Sequence, residues 1–230
     1  MAQSPWAWKQ LLAEGIGAFT LIFAGAGSII ANEATHGGVG LLGIALAHGL
    51  AIAVMVSALG VISGGHFNPA VTCAFVVSGR MPVARGVAYA LAQLTGATLA
   101  ALALVAAYPP GPAALVHLGT PSLAPGISTG AGILLEAIGT FFLVMVVFGT
   151  AVHPAGPRLG GLAIGLTITM NILAFGVLTG AAMNPARAFG PALVAGAWRD
   201  QAVYWIGPLI GAALAGALYS GAYLPAADSR

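Results

Sequence analysis

Two Asn-Pro-Ala tripeptides, Asn68-Pro69-Ala70 and Asn184-Pro185-Ala186, divide the chain, and the second runs directly into Arg187. Asn caps helix N-termini through its side-chain oxygen, and Pro suits a first turn, where its missing N–H costs nothing. Each tripeptide therefore opens a helix. A helix start carries partial positive charge and points unsatisfied N–H groups outward. Two such starts facing each other repel cations, hydronium included. The amides of Asn68 and Asn184 would meanwhile have N–H groups to donate to a neutral oxygen between them. A single Asn of this kind is better read as a cap alone. Two in matching contexts favour a pore, and capping and pore lining are compatible.

Composition names the solvent. Of 230 residues only 12 are charged, five acidic and seven basic, whereas a soluble domain carries roughly a quarter. Hydrophobic residues reach 59%, and the mean hydropathy is +0.98. Such a chain cannot cover a water-facing surface, which excludes a soluble enzyme, a nucleic-acid binder and a disordered linker. The excess of two positive charges is too small for a basic patch. One cysteine, Cys73, excludes a disulfide framework and a thiolate metal cluster. No signal-peptide pattern is present at the start.

A spanning helix needs about 20 apolar residues. The charge-free stretches 34–79 and 86–135 are too long for one span each. Ser63-Gly64-Gly65 breaks the first, and Tyr108-Pro109-Pro110-Gly111-Pro112 opens a loop in the second that runs to about Thr129. The expected helices lie near 7–31, 39–62, 82–107, 130–152, 159–178 and 202–224. Two apolar pieces remain, Asn68 to Ser78 and Asn184 to Gly196. At about 1.5 Å per residue each reaches roughly half-way through the hydrocarbon, so both are expected as half-helices. With a cytoplasmic N-terminus, Lys9, Arg80, Arg85, Arg158 and Arg230 lie inside and Arg199 outside, as the positive-inside rule requires. Both termini are then cytoplasmic. Trp6, Trp8, Trp198, Tyr204 and Trp205 fall near span ends, where interface anchors belong.

The chain repeats. Glu14-Gly15-Ile16-Gly17-Ala18-Phe19 opens the first span, and Glu136-Ala137-Ile138-Gly139-Thr140-Phe141 opens the fourth. Gly43-Ile44-Ala45-Leu46 weakly echoes Gly165-Leu166-Thr167-Ile168. The whole chain, 1–230, is expected as one transmembrane domain of two repeats, approximately 7–107 and 130–224. Three spans per half is an odd number, so the second half is inverted, and such repeats place a site at the midplane where broken helices meet.

These residues resemble the major intrinsic proteins, the aquaporins. The resemblance runs from Glu14 to about Tyr219 and is carried by Gly64-Gly65-His66-Phe67-Asn68-Pro69-Ala70-Val71-Thr72 and Met183-Asn184-Pro185-Ala186-Arg187-Ala188-Phe189-Gly190-Pro191. It implies an all-α membrane fold of six transmembrane helices and two re-entrant half-helices. It also implies passive flow of water without protons or ions, no cofactor or metal, and a homotetramer. An intramembrane charge is costly, and the resemblance places Arg187 at an outer constriction. Its partners there are His48, Ile172, which stands twelve residues before Asn184, and Ala181, three before it. Many water channels have Phe at the first position and His at the second. The set His48, Ile172, Ala181 and Arg187 is similar to that of some plant tonoplast intrinsic proteins, and it admits ammonia, glycerol or other small uncharged solutes as an alternative cargo. Ala188, Ala192, Tyr204 and Trp205 resemble the water-channel rather than the glycerol-channel pattern.

The resemblance places Glu14 near Gln93 and Glu136 near His66, bracing the pore loops. Bracing is the better reading, because irregular backbone in a membrane needs internal partners and two separated carboxylates cannot relay protons across. His36, His117 and His153 are expected in solvated loops, and Cys73 as a packing residue. A secondary transporter would need coupling-ion carboxylates at the midplane, which neither half-helix has. An intramembrane enzyme would need clustered His and Glu, and the histidines are scattered.

Overall fold

A computed structural model describes residues 7–157 and 159–225; Trp6, Arg158 and Arg230 lie outside them. Among the described residues the chain is all helical. Nine α-helices follow in order: α1 Ala7–Ala34, α2 Gly40–Ser63, α3 Pro69–Val77, α4 Val83–Ala107, α5 Pro110–Leu115, α6 Thr129–Val147, α7 Gly160–Thr179, α8 Pro185–Ala195 and α9 Val203–Leu218. Helices α6 and α9 finish in wider π turns, Phe148–Val152 and Tyr219–Tyr223. Six helices are long and apolar enough to cross a membrane, and they match the expected spans to within three residues at each end. The expected loop after Tyr108 is partly helical. Its prolines open α5 instead of preventing it, since Pro110 takes a first-turn position. A 3₁₀ turn, His117–Gly119, follows.

The helix ends obey local chemistry. Ser128 Oγ accepts from Ala131 N–H at 3.2 Å and starts α6. Gly64, Gly180 and Gly196 close α2, α7 and α8 in the left-handed conformation that glycine adopts without penalty. Half-helices α3 and α8 have 9 and 11 residues. That is roughly 15 Å, half the hydrocarbon thickness.

Packing is inside-out relative to a soluble protein. Leu12, Leu50, Leu91, Leu162 and Leu214 are exposed, while the interior holds Ala, Gly and the polar residues Glu14, Gln93, Glu136, Asn171 and Arg187. Each half-helix packs against the last span of the other half, α3 on α9 and α8 on α4. Backbone-to-backbone approach at small residues makes this possible. A Cβ at Gly49 would overlap Thr169 Oγ1 and stand 2.5 Å from the Gly165 carbonyl oxygen, and one at Gly165 would overlap that of Gly49. The weak echo of Gly43 with Gly165 is thus out of register. Gly49 is the true counterpart, since Gly49 and Gly165 each precede their Asn by the same nineteen residues. Gly207, Gly211 and Gly216 serve contacts inside the chain, facing Ile133, Ala137 and Ala74.

Candidate pore and its constriction

The loops before α3 and α8 carry the site, and their geometry follows the sequence position by position. Asn68 and Asn184 both have extended backbone, and their Oδ1 atoms accept from Ala70 N–H at 2.8 Å and Ala186 N–H at 2.9 Å. The amides then cross over. Asn68 Nδ2 donates to Met183 O at 2.8 Å, and Asn184 Nδ2 donates to Phe67 O at 3.0 Å. The two half-helices therefore meet tip to tip, each cap tied to the other's loop. Each amide has two hydrogens and uses one in this tie, leaving the other outside it.

The two glutamates hold these loops. Glu14 Oε1 accepts from Ser63 Oγ at 2.6 Å and His66 N–H at 3.0 Å, and its Oε2 accepts from Phe67 N–H at 2.7 Å and Gln93 Nε2 at 2.6 Å. Glu136 Oε1 accepts from Thr179 Oγ1 at 2.7 Å and Ala182 N–H at 3.0 Å, and its Oε2 accepts from Met183 N–H at 2.6 Å. Both carboxylates are fully buried. The pairing of Glu136 with His66 does not form. The His66 backbone binds Glu14 instead, and its ring bonds Thr72 Oγ1 through Nδ1 at 3.0 Å. Thr72 Oγ1 also accepts from Gln93 Nε2 at 3.1 Å, so Gln93, Thr72 and His66 form one buried chain of hydrogen bonds.

Partners that the sequence did not single out complete the braces. Ser63 and Thr179 each stand five residues before their Asn, a register that aligning the halves on those Asn would have exposed. Tyr89 and Tyr204 donate to the carbonyls of Ser63 at 2.9 Å and Thr179 at 2.7 Å. Tyr204 is thus no interface anchor. Its ring is fully buried because the phenol has a partner inside. Trp8 and Trp198 are exposed, as anchors should be. Asn171 Nδ2 donates to Gly139 O at 3.0 Å and lies 2.9 Å from Met183 Sδ. Nothing in the spacing marked it.

An internal cavity of about 30 Å³, on the scale of single waters, runs past this junction. Its wall includes Asn68, Asn184, His66, His48, Ala181 and Arg187. Ile172 is buried but is not part of that wall; α7 contributes Ile164 and Ile168 below it. Arg187 is 2% exposed, which excludes a snorkelling surface arginine, and its Nη1 has no protein partner. His48 Nδ1 lies 2.8 Å from Ile44 O. A carbonyl only accepts, so neutral His48 carries its proton on Nδ1 and leaves a lone pair on Nε2. Ala181 adopts φ 44° and Met183 φ 51°, left-handed backbone that disfavours side chains. The wall thus combines polar side chains from Asn68, Asn184, His66, His48 and Arg187 with apolar faces between them.

The remaining expectations divide. His36 and His117 are exposed. His153 is half-buried, edge-on to Tyr219, with Nδ1 accepting from Ala155 N–H at 3.1 Å. Cys73 is half-buried on α3 and outside the cavity wall. Ala188, Ala192 and Tyr204 are buried, Ala188 and Tyr204 packing with Leu123, Ala182 and Val203. No group of three metal-ligating side chains occurs among the described residues.

Among the described residues, six spans and two opposed half-helices around a small internal cavity define a multi-pass membrane protein. The Major intrinsic protein family model matches residues 1–219. The chain is similar to Aquaporin TIP4-4 of Zea mays, 47% identical over 94% of this chain and 87% of that protein. It is also similar to Aquaporin NIP1-1 of Zea mays, 44% identical over 89% of this chain and 71% of that one. Among solved structures, the aquaglyceroporin from Plasmodium falciparum shares the fold with a TM-score of 0.78, covering 94% of this chain and 96% of that chain at 23% identity. The chain belongs to the major intrinsic protein family.

Proposed function

We propose that this protein is a passive water channel that excludes protons and ions, with Asn68, Pro69, Ala70, Asn184, Pro185 and Ala186 at its midplane and His48, Ile172, Ala181 and Arg187 as its filter. The observation that carries this is the reciprocal tie of Asn68 to the Met183 carbonyl and of Asn184 to the Phe67 carbonyl, which brings two helix N-termini together beside the cavity. Water arriving there accepts hydrogen bonds from the free amide hydrogens. Its own hydrogens then point away from the junction on both sides, and the hydrogen-bonded wire reverses direction. The helix-end charges and the Arg187 guanidinium raise the energy of any cation at the same points. No conformational step is needed, because donors and acceptors are held by Glu14, His66, Gln93 and Glu136 through the pore loops.

A second reading, a broader channel for ammonia or other small uncharged solutes, is favoured by Ile164, Ile168 and the single methyl of Ala181 on the wall. Ammonia needs one acceptor and few donors, and His48 Nε2 supplies the acceptor. We further propose a single domain of two inverted repeats, approximately 7–107 and 130–224, a cell-membrane location with both termini cytoplasmic, a homotetrameric state and no enzymatic activity. Stopped-flow measurement of water, glycerol and ammonia permeability in one proteoliposome preparation tests the function. Rapid water flow with a low activation energy, no saturation and no proton leak is the expected result. Water flow no faster than in empty vesicles, with the protein inserted, would end the proposal.

A further inference from the structure

The ring of His48 owes its position to a residue on another helix. Gly25 is buried on α1, and a Cβ built there would stand 2.5 Å from both Cδ2 and Nε2 of His48 and 2.8 Å from Cγ. Carbon atoms rest at about 3.5–4.0 Å, so ring and methyl cannot share this space. The imidazole cannot slide along its own helix, because Nδ1 is held at 2.8 Å from Ile44 O and the neighbouring Ala45 and Gly49 are buried. The same histidine lines the cavity, together with Ala181 and Arg187.

The second half solves the same problem in the opposite way. Counting from Glu14 and Glu136, the counterpart of Gly25 is Val147. Counting back from Asn68 and Asn184, the counterpart of His48 is Ile164. Val147 and Ile164 both line the cavity. In that half the wall is shared by two aliphatic side chains. In the first half position 25 contributes no side chain and one ring fills the space, while α1 reaches the cavity one turn earlier through Leu21.

We propose that Gly25 is a specificity-determining position: by carrying no side chain it lets His48 lie back against α1 and so sets how far the imidazole projects into the conduit. The proposal rests on the filter reading of His48. Any side chain at 25 drives the ring toward Arg187 and narrows the passage. Helix propensity acts in the other direction, since Ala is preferred to Gly within a helix, so a loss in Gly25→Ala cannot come from the helix itself.

The test is a double-mutant cycle on the full chain in proteoliposomes, with Gly25→Ala, His48→Ala and the pair. Inserted protein is quantified in each preparation, water flux is read by stopped-flow scattering and ammonia flux by an internal pH dye. Gly25→Ala should lower both fluxes by about five- to tenfold, the effect of a barrier higher by roughly 1 kcal/mol. His48→Ala should raise the ammonia-to-water ratio. The pair should behave as His48→Ala alone, because the methyl then occupies space the ring has left. Wild-type fluxes in Gly25→Ala overturn the proposal. So does a pair that falls below His48→Ala by the factor separating Gly25→Ala from wild type, since the defect would then be independent of the ring. An unchanged ratio in His48→Ala removes His48 from the filter, and with it the premise, whatever the cycle shows.

Discussion

The two halves of this protein build one device with different parts. In each, a buried glutamate accepts from one hydroxyl and two consecutive backbone N–H groups of a pore loop. In each, a tyrosine from the half's last span closes the carbonyl at the loop's start. Around these shared bonds the halves diverge. Glu14 has a fourth donor in Gln93, which also reaches Thr72 and through it His66. At the place of Gln93, four residues beyond its tyrosine, α9 has Pro208, and Glu136 has no such neighbour. Phe67 fills the space over Gly17 with its own ring, whereas Met183, its counterpart, is held by Asn171 while Phe175 covers Gly139. Three residues into the half-helices, Val71 faces the cavity on one side and Arg187 on the other. Bonds to backbone recur because both loops present the same orphaned N–H groups to lipid-depth surroundings, where each must be satisfied. Side chains on the cavity wall are under no such shared demand, and there the halves differ.

The largest expected effect comes from the braces. Glu136→Gln turns one acceptor oxygen into a donor and leaves a buried N–H or hydroxyl without a partner, at about 1–3 kcal/mol. Glu14→Gln should cost less, because Gln93 Oε1 has no partner at present and can accept from the new amide. Thermal unfolding in detergent should therefore rank wild type above Glu14→Gln and both above Glu136→Gln; equal midpoints for the two variants would show that Gln93 adds nothing to the first brace.

Arg187→Val gives the second half the residue that the first half has at this place, Val71. Larger neutral solutes should pass faster and ion exclusion should weaken, as read by glycerol uptake and by proton leak under a pH gradient. Unchanged selectivity in an inserted variant would take Arg187 out of the filter.

Ile172→His tests a residue that lies outside the cavity wall. With an imidazole there the constriction should be narrower and more polar. The ammonia-to-water flux ratio should then drop below wild type while proton exclusion persists. A ratio equal to or above wild type would mean that Ile172 does not widen this pore.

Ala181→Gly makes the loop before α8 match Gly65, its counterpart three residues before Asn68. The left-handed φ of 44° suits glycine, so stability should hold or rise by up to about 1 kcal/mol while the passage widens by one methyl. A lower unfolding midpoint would contradict the strain assigned to this residue.

Cys73→Ser should have the smallest effect, with water flux unchanged and wild type poorly blocked by mercurials. Full block by mercury that the serine variant abolishes would place Cys73 on the pore.

Composition and tripeptides alone determined the solvent, the six spans, the two half-helices and Asn68, Asn184 and Arg187 as the residues around which the chain is organised. These follow from properties that act along the chain: hydrocarbon thickness sets span length, and the Asn-Pro pair sets where a helix starts. Only the tertiary structure decided which groups meet. It paired His66 with Thr72 rather than Glu136, registered Gly49 instead of Gly43 against Gly165, buried Tyr204 under a carbonyl and brought Asn171 to Met183. It also set Gly25 behind His48. Such contacts depend on how deeply two helices interpenetrate and on their rotation about their axes. Those are settled by the fit of small residues across an interface, and no periodicity within one segment encodes them.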